Sequence, residues 1–138
     1  ITIPDSVTEI GAYAFRNCYA LEAISIPDSV TSIGDSAFYH CSSLASVVIP
    51  NSVASVGEYA FYACSALSSV MLADSVTFIG RCAFFSCRSL KSVTIPNSVI
   101  AIGDYAFSGC NGLETVSIPE GLEFPPDAFP PGIEIIKY

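Results

Sequence analysis

The stretch ISIPDSVTSIGDSAFYHCSSLAS, residues 24–46, recurs along the chain and decides its fold. Residues 1–23, 47–69, 70–92 and 93–115 align with it without a gap, and an aberrant unit follows at 116–138. The shared frame reads I-x-I-P-[DN]-S-V-x-x-I-G-x-x-A-F-x-x-C-x-x-L-x-x. A constant period of this length is typical of a solenoid, in which each unit buries its apolar face by stacking on its neighbours.

Each unit contains one clear strand signal. The segment L-x-x-[IV]-x-[IL], for example Leu21 to Ile26, alternates apolar and polar residues as a strand with one buried face does. A proline ends this segment, and the [DN]-S pair that follows favours a turn. The recurring glycine is expected to permit backbone angles that other residues resist, so this region is the predicted bend of the coil.

The second half of each unit carries the motif A-F-x-x-C. Ala14 and Phe15 precede Cys18 by four and three residues, a spacing that predicts one short helical turn with all three side chains pointing inward. Each coil is therefore expected to run as strand, bend, helical turn and return. The columns of Ile, Val, Phe and Leu would then form one continuous core.

The motif also carries a family resemblance. Its strand part matches the leucine-rich-repeat pattern L-x-x-L-x-L-x-x-N, with serine at the position usually held by asparagine. More narrowly, I-P-x-S-V-x-x-I-G-x-x-A-F-x-x-C-x-x-L resembles the BspA-like leucine-rich repeats of bacterial and protist surface proteins, over residues 1–119. The expected fold class is a curved α/β leucine-rich-repeat solenoid of six 23-residue coils, with short parallel strands, bends and short helical turns.

The resemblance implies a cell-surface or secreted location and a role in adhesion. The implied partner is a protein, either a host matrix protein or another cell-surface protein. No binding residue carries over, because the frame records what the core requires whereas ligands contact the variable positions. The chain also begins within the repeating pattern, and we expect it to be a piece of a longer array.

The last unit departs from the frame. Gly121 replaces the serine, Pro125 and Pro126 replace Ile-Gly, and no cysteine follows Phe129. Terminal repeats are commonly atypical because they close an exposed core. We therefore expect two parts: leucine-rich repeats over 1–119, comprising five full units and the start of a sixth, and a C-terminal capping segment over 120–138.

Composition excludes several classes of partner. With 51% hydrophobic and 13% charged residues, the chain is too apolar to be disordered. Its formal net charge of -8 opposes binding to nucleic acid and to anionic membranes. Pro, Gly, Ser or Asp interrupts every apolar run well before the roughly 20 residues that cross a bilayer, so no membrane insertion is expected.

Cysteine spacing favours packing over chemistry. Five cysteines recur every 23 residues in the inward-facing column, which predicts buried thiols rather than disulfides or a zinc site: Cys18, Cys41, Cys64, Cys87 and Cys110. Cys82 stands instead in the column of Tyr13, Tyr59 and Tyr105, where an exposed and modifiable thiol is expected.

The recurring Asp or Asn after the proline is better explained by its role in the turn than by calcium binding. No metal and no cofactor are expected.

Two surfaces are candidate binding sites. The outward residues of the strands are expected to line a concave face, here the predicted concave face: Glu22, Ser25, Ser46, Val48, Ser69, Met71, Ser92, Thr94, Thr115 and Ser117. The second surface is a predicted aromatic stripe, which comprises Tyr13, Tyr39, Tyr59, Tyr62, Phe85 and Tyr105. It is either a patch for docking and self-association or a set of rings that only cover the edge of the core.

No motif supports catalysis. His40 is the single histidine, and no nucleophile elbow, phosphate-binding loop or H-E-x-x-H motif occurs. The sequence therefore predicts a non-catalytic binding or adhesion module within a larger protein. The alternative is a structural protein that assembles with itself into a coat, filament or scaffold.

Overall fold

The computed structural model describes all residues from Ile1 to Tyr138 and shows a parallel β-solenoid with coils of 23 residues. The predicted strand of each unit forms the first strand layer, which comprises β3 (Ser46–Ile49), β5 (Ser69–Leu72), β7 (Ser92–Thr94), β9 (Thr115–Ile118) and β10 (Glu134–Lys137). In the first two coils this layer is reduced to a bridge between Thr2 and Ser25. The solenoid and its repeat length are as predicted.

A second sheet occupies the region where the sequence predicted a bend. It contains β1 (Glu9–Ile10), β2 (Ser32–Ile33), β4 (Ser55–Val56), β6 (Phe78–Ile79) and β8 (Ala101–Ile102), joined in this order without interruption. Each strand has only two residues, which is too short for an alternating pattern to be recognised in the sequence. The second sheet and the first strand layer enclose the core.

The repeated glycine serves close packing rather than unusual backbone angles. Positive φ angles occur at Gly109, Gly121 and Gly132, none of which belongs to the recurring column. A Cβ added to Gly103, which does belong to it, would clash with the backbone nitrogen of Arg81 in the preceding coil. The expectation about backbone angles was wrong, because the constraint is the short distance between stacked coils.

The predicted helical turn is also wrong, because A-F-x-x-C forms consecutive β-turns. In the third coil, Tyr59 and Ala63 have φ angles of 57° and 56°, in the left-handed region. Alternate backbone N–H groups of this segment donate to carbonyls three residues earlier and so close the turns. The N–H groups between them, those of Tyr59, Phe61 and Ala63, donate to carbonyls of the next coil over 2.7–2.9 Å. These bonds are a third set of hydrogen bonds between coils, beside those of the first strand layer and the second sheet, and we name this set the turn ladder. In a helix the same N–H groups would bond to carbonyls of their own segment instead.

The core consists of stacked identical side chains, as the repeat predicted. Phe38, Phe61, Phe84 and Phe107 are fully buried, and their rings stack nearly parallel, for example at 4.9 Å between the centroids of Phe38 and Phe61. All six cysteines are free thiols. The Cys64 thiol donates a hydrogen bond to the carbonyl of Phe38 at 3.2 Å, and the same contact recurs in the neighbouring coils.

Serine in the usual asparagine position connects coils in part of the solenoid. The hydroxyl of Ser75 donates to the carbonyl of Val53 at 2.8 Å, and that of Ser98 donates to Val76 at 2.6 Å. The buried hydroxyls of Ser29 and Ser52 have no hydrogen-bond partner. The serine column therefore donates hydrogen bonds between coils at Ser75 and Ser98, in the later coils.

The segment 120–138 covers the C-terminal end of the core. Phe129 stacks on Phe107 with ring centroids 5.3 Å apart, and Phe124 contacts Phe129 edge-on at 5.1 Å. Strand β10 pairs in parallel with β9, whereas the second sheet ends at β8. Pro126 stands where earlier coils have a glycine whose N–H bonds to the preceding strand, and proline has no such donor. These contacts agree with capping, and the boundary after residue 119 stays a prediction.

Candidate binding surfaces

The predicted concave face is solvent-exposed along most of its length. Glu22, Ser25, Ser46, Val48, Ser69, Met71, Ser92 and Thr94 are exposed, whereas Thr115 and Ser117 are half-buried. Because alternate strand residues point to opposite sides, the intervening side chains, such as Ile49 and Ile95, are buried. The face is thus the outer side of the first strand layer.

The first strand layer is interrupted between β5 and β7. Strand β3 pairs with β5, and β7 pairs with β9, which in turn pairs with β10, but no strand pairing joins the two groups. Ala73 replaces the usual proline, and its N–H donates to the carbonyl of Ile49 at 3.2 Å, so the third and fourth coils are well joined. Proline returns at Pro96, so the same bond cannot form one coil later.

A cleft of about 380 Å³ lies over this interruption, here named the seam cleft. Four residues of the predicted concave face line it, namely Ser69, Met71, Ser92 and Thr94, and Tyr138 lies beside them. The structure thus brings these four together. Glu22, Ser25, Ser46, Thr115 and Ser117 lie outside the cleft lining.

Tyr138 is a residue of this site that the sequence interpretation missed. Its phenol hydroxyl donates a hydrogen bond to the carbonyl of Ile95, 43 residues earlier in the chain. That carbonyl lacks a backbone donor in the next coil, because Pro119 stands where an N–H would be needed. The sequence shows that Pro119 lacks the N–H donor, but it does not show that the Tyr138 hydroxyl takes its place.

The seam cleft continues into an exposed apolar pair. Val48 on β3 and Met71 on β5 are direct partners in the strand register, and they are 55% and 63% exposed. Neighbouring strand residues of this kind lie within contact distance of each other. The pair gives the otherwise hydroxyl-rich face a local apolar centre.

The predicted aromatic stripe is continuous over three coils. The rings of Tyr39, Tyr62 and Phe85 stack in register, with centroids 4.8 Å and 5.0 Å apart and nearly parallel planes. Arg16 lies over the free face of this aromatic ladder, 5.2 Å from the centre of the Tyr39 ring. The ring faces are therefore largely covered by one another, which favours a packing role along the core edge.

The other three residues of the predicted aromatic stripe differ in how closely they contact the aromatic ladder. Tyr59 contacts Tyr62 with centroids 5.8 Å apart, and Tyr13 is linked to the ladder through Arg16. Tyr105 is 39% exposed and contacts no other ring, because Cys82 occupies this column in the coil between it and Tyr59. The structure therefore does not extend the stripe to Tyr105.

Cys82 is buried, contrary to the expectation of an exposed thiol. It is 7% exposed, and burial raises the pKa of its thiol above the usual value, against the opposing effect of Arg81. A left-handed backbone angle of 53° places it in the turn ladder, which a helical interpretation could not anticipate. A shielded thiol with a raised pKa is poorly reactive.

The cysteine column has no nucleophilic character either. Burial, with a smaller effect of neighbouring Cys18, raises the pKa of Cys41 to about 11, and burial also raises the pKa of Cys64 and Cys87. No three His, Cys, Asp or Glu side chains converge as a metal site would require.

The family follows from the repeat. The model of the BspA type leucine-rich repeat region matches residues 1–114 in six copies. The chain belongs to this family. No curated protein matches the chain significantly.

Solved structures of bacterial leucine-rich repeat proteins share the fold. The T. pallidum leucine-rich repeat protein superposes with a TM-score of 0.83 at 29% identity, over 98% of this chain and 72% of its own. A leucine-rich cell surface protein of Faecalibacterium prausnitzii has a TM-score of 0.65 at 37% identity, over 85% of this chain and 38% of its own. A leucine-rich repeat protein of Bacteroides capillosus has 0.60 at 42% identity, over 64% and 63%.

These comparisons describe a repeat fold found in bacterial surface proteins, which is consistent with a protein-interaction module. This BspA-type solenoid spans well under half of the F. prausnitzii chain that it matches. The structure contains no helix that could cross a membrane.

Proposed function

We propose that this BspA-type solenoid is a non-catalytic module that binds a protein partner across the seam cleft and the adjoining Val48 and Met71 side chains. The observation that carries the proposal is the position of these two exposed apolar residues at the cleft, on a face whose other side chains are, apart from Glu22, small and hydroxyl-bearing. A compact apolar centre with a polar rim is the usual anatomy of a protein interface.

The side chains of this face set the strength of binding. Met71 is flexible and adapts to irregular partner surfaces, and Tyr138 offers an aromatic ring that is 49% exposed. The face lacks the Trp and Arg anchors that dominate tight interfaces, so a single contact is expected to be weak. Several copies on one surface would add avidity.

Location and partner class belong to the same proposal. A relative that spans most of this chain is a leucine-rich cell surface protein, which supports placement on a cell surface or secretion within a larger protein. Adhesion to a host matrix or cell-surface protein is the activity that the family resemblance implies. The acidic charge of this chain favours a basic partner surface.

The proposal is tested by binding of the chain to a panel of immobilised extracellular matrix proteins. Met71→Asp places a charge at the centre of the proposed interface and is expected to abolish the binding of any protein that the wild type captures. Ile100→Asp is the matched control, because Ile100 is 79% exposed but lies beside the second sheet. Equal effects of the two substitutions, or no binding by the wild type, would overturn the proposal.

Self-assembly is a second candidate, and the outer edge of β10 favours it. This strand pairs with β9 on one side only, and Ile135 and Ile136 are 39% and 45% exposed. An unpaired parallel edge with apolar side chains can accept a strand from another copy. Light scattering decides the matter: a mass that stays monomeric as concentration rises excludes a coat or filament, and growth that Ile136→Lys abolishes supports it.

A further inference from the structure

A trough of about 360 Å³ crosses four coils at the corner between the turn ladder and the return to the next strand, here named the corner trough. Its lining includes Tyr19, His40, Ser42, Ser65, Ser86 and Arg88, and Tyr62 of the aromatic ladder and Ala63 complete it. It lies apart from the seam cleft, with which it shares no residue.

The corner trough is long rather than deep. Tyr19 belongs to the first coil and Arg88 to the fourth, and successive coils are separated by about 5 Å, as the stacked rings of Tyr62 and Phe85 show. A ligand that contacts both ends must therefore be extended and must run across the coils. A single small molecule would reach one end only.

One end of the trough is cationic in a protein with a net charge of -8. Arg88 is exposed, and its guanidinium fork is suited to bidentate binding of a carboxylate. An acidic group is thus favoured at this end. His40 lies near the other end, one coil after Tyr19, and its ring stacks on Tyr39 with centroids 4.8 Å apart.

The middle of the trough is lined by hydroxyls that repeat with the coils. Ser42 and Ser65 occupy equivalent positions in neighbouring coils, and Ser86 follows in the next. A hydroxyl both donates and accepts hydrogen bonds, so a row of serines matches a ligand whose own groups are hydroxyls.

The other end offers a free aromatic face. Tyr19 is 56% exposed and meets His40 edge-on, with centroids 6.5 Å apart and planes inclined by 66°. Its ring face is therefore open, unlike those of the aromatic ladder. An open tyrosine face can pack against the C–H side of a sugar ring and against other flat apolar surfaces.

We propose that the corner trough binds a short acidic oligosaccharide, with a carboxylate on Arg88, hydroxyls along the serines and a sugar ring on Tyr19. A peptide fits less well, because the trough has no apolar recess for an anchoring side chain. Nucleic acid is disfavoured because its row of phosphates would meet the overall negative charge, whereas a short acidic oligosaccharide carries only a few carboxylates. The site is independent of the proposed protein-binding face.

The test is an NMR titration of the isotopically labelled chain with three probes of similar length. The acidic probe is a tetrasaccharide of alternating glucuronate and N-acetylglucosamine, the neutral one is an N-acetylglucosamine tetramer, and the third is an acidic tetrapeptide of glutamate and serine. We expect the acidic sugar to shift the amide signals of Tyr19, His40, Ser65 and Arg88. Shifts absent from these residues, or equal affinity for the neutral sugar or the peptide, would overturn the proposal.

Two substitutions separate a binding role from a folding role. Arg88→Gln is expected to weaken binding of the acidic sugar by about tenfold or more, the loss typical of one charge-assisted hydrogen bond. Arg81→Gln is the matched control, since Arg81 is an exposed arginine of the same coil outside the trough, and it should leave the affinity unchanged. Equal effects of the two would reject a specific site. Met71→Asp should not alter sugar binding, so the two proposals fail independently.

Discussion

Removing one ring from the phenylalanine column tests the physical basis of the fold. Phe61 is fully buried in the third coil, and its ring lies 4.9 Å from that of Phe38 and 5.2 Å from that of Phe84. Burial of a phenyl side chain contributes about 3 kcal/mol, and the two ring contacts add about 0.5–1.5 kcal/mol each. Partial collapse of the cavity offsets some of this loss, so Phe61→Ala is expected to cost about 3–5 kcal/mol.

Equilibrium denaturation in urea measures this difference, with circular dichroism and tyrosine fluorescence as independent signals. Coincident transitions establish that the coils unfold together, which the free-energy comparison requires. Phe78→Ala is the matched control, because Phe78 in β6 is 40% exposed and should lose about 1 kcal/mol or less. A cost below about 1 kcal/mol at Phe61, or equal costs at both positions, would refute a core built from stacked rings.

Three further predictions concern the contacts between coils. Gly103→Ala is expected to lower the unfolding free energy by about 1–3 kcal/mol in urea denaturation, because the added Cβ would clash with the backbone of Arg81. A Cβ added at Gly11 has nothing within 4 Å, so Gly11→Ala is the control and should be neutral. Tyr138→Phe should cost about 1 kcal/mol by leaving the Ile95 carbonyl unpaired, and hydrogen exchange should show faster opening of β10. Because the folded-state pKa of Cys41 is raised from 9.0 to about 11, stability is expected to be full below pH 9 and to fall as the pH rises towards 11, measured by denaturation across that range.

The stacking of the core could be predicted from the sequence because it depends on identity at a fixed interval. Phenylalanine, cysteine and leucine recur every 23 residues, and only parallel stacking of coils places each on its own copy. The resulting burial follows without knowledge of the backbone path. The first strand layer was predictable for a related reason, since its alternation of apolar and polar residues extends over six positions.

The backbone between the strands could not be predicted in the same way. Inward side chains at spacings of three and four residues fit a helical turn, but two consecutive β-turns also return Phe61 and Cys64 to the same side. The deciding feature is the left-handed angle at Tyr59 and Ala63, residues with no intrinsic preference for it. Bonds from these turns to the next coil stabilise it, and such bonds carry no local sequence signal.

The candidate site was predictable only in part, for reasons of distance along the chain. The exposed strand positions followed from alternation, and Met71 and Thr94 are indeed exposed, whereas their role in binding stays a prediction. The seam cleft exists because the strands β5 and β7 do not pair, and Tyr138 reaches it to bond with Ile95, 43 residues earlier in the chain. No periodic pattern contains that information.

The departures from the repeat coincide with the surfaces that could bind other molecules. Ala73 replaces a proline and joins its coil to the preceding one, and the interruption of the strand layer follows immediately where proline returns. Arg88 interrupts a column in which Ser42 and Ser65 precede it, and it places a cation where equivalent coils have none. A repeat that is uniform inside provides rigidity without specificity. Because every coil presents the same backbone, a partner can distinguish one position on the solenoid from another only through substitutions such as these.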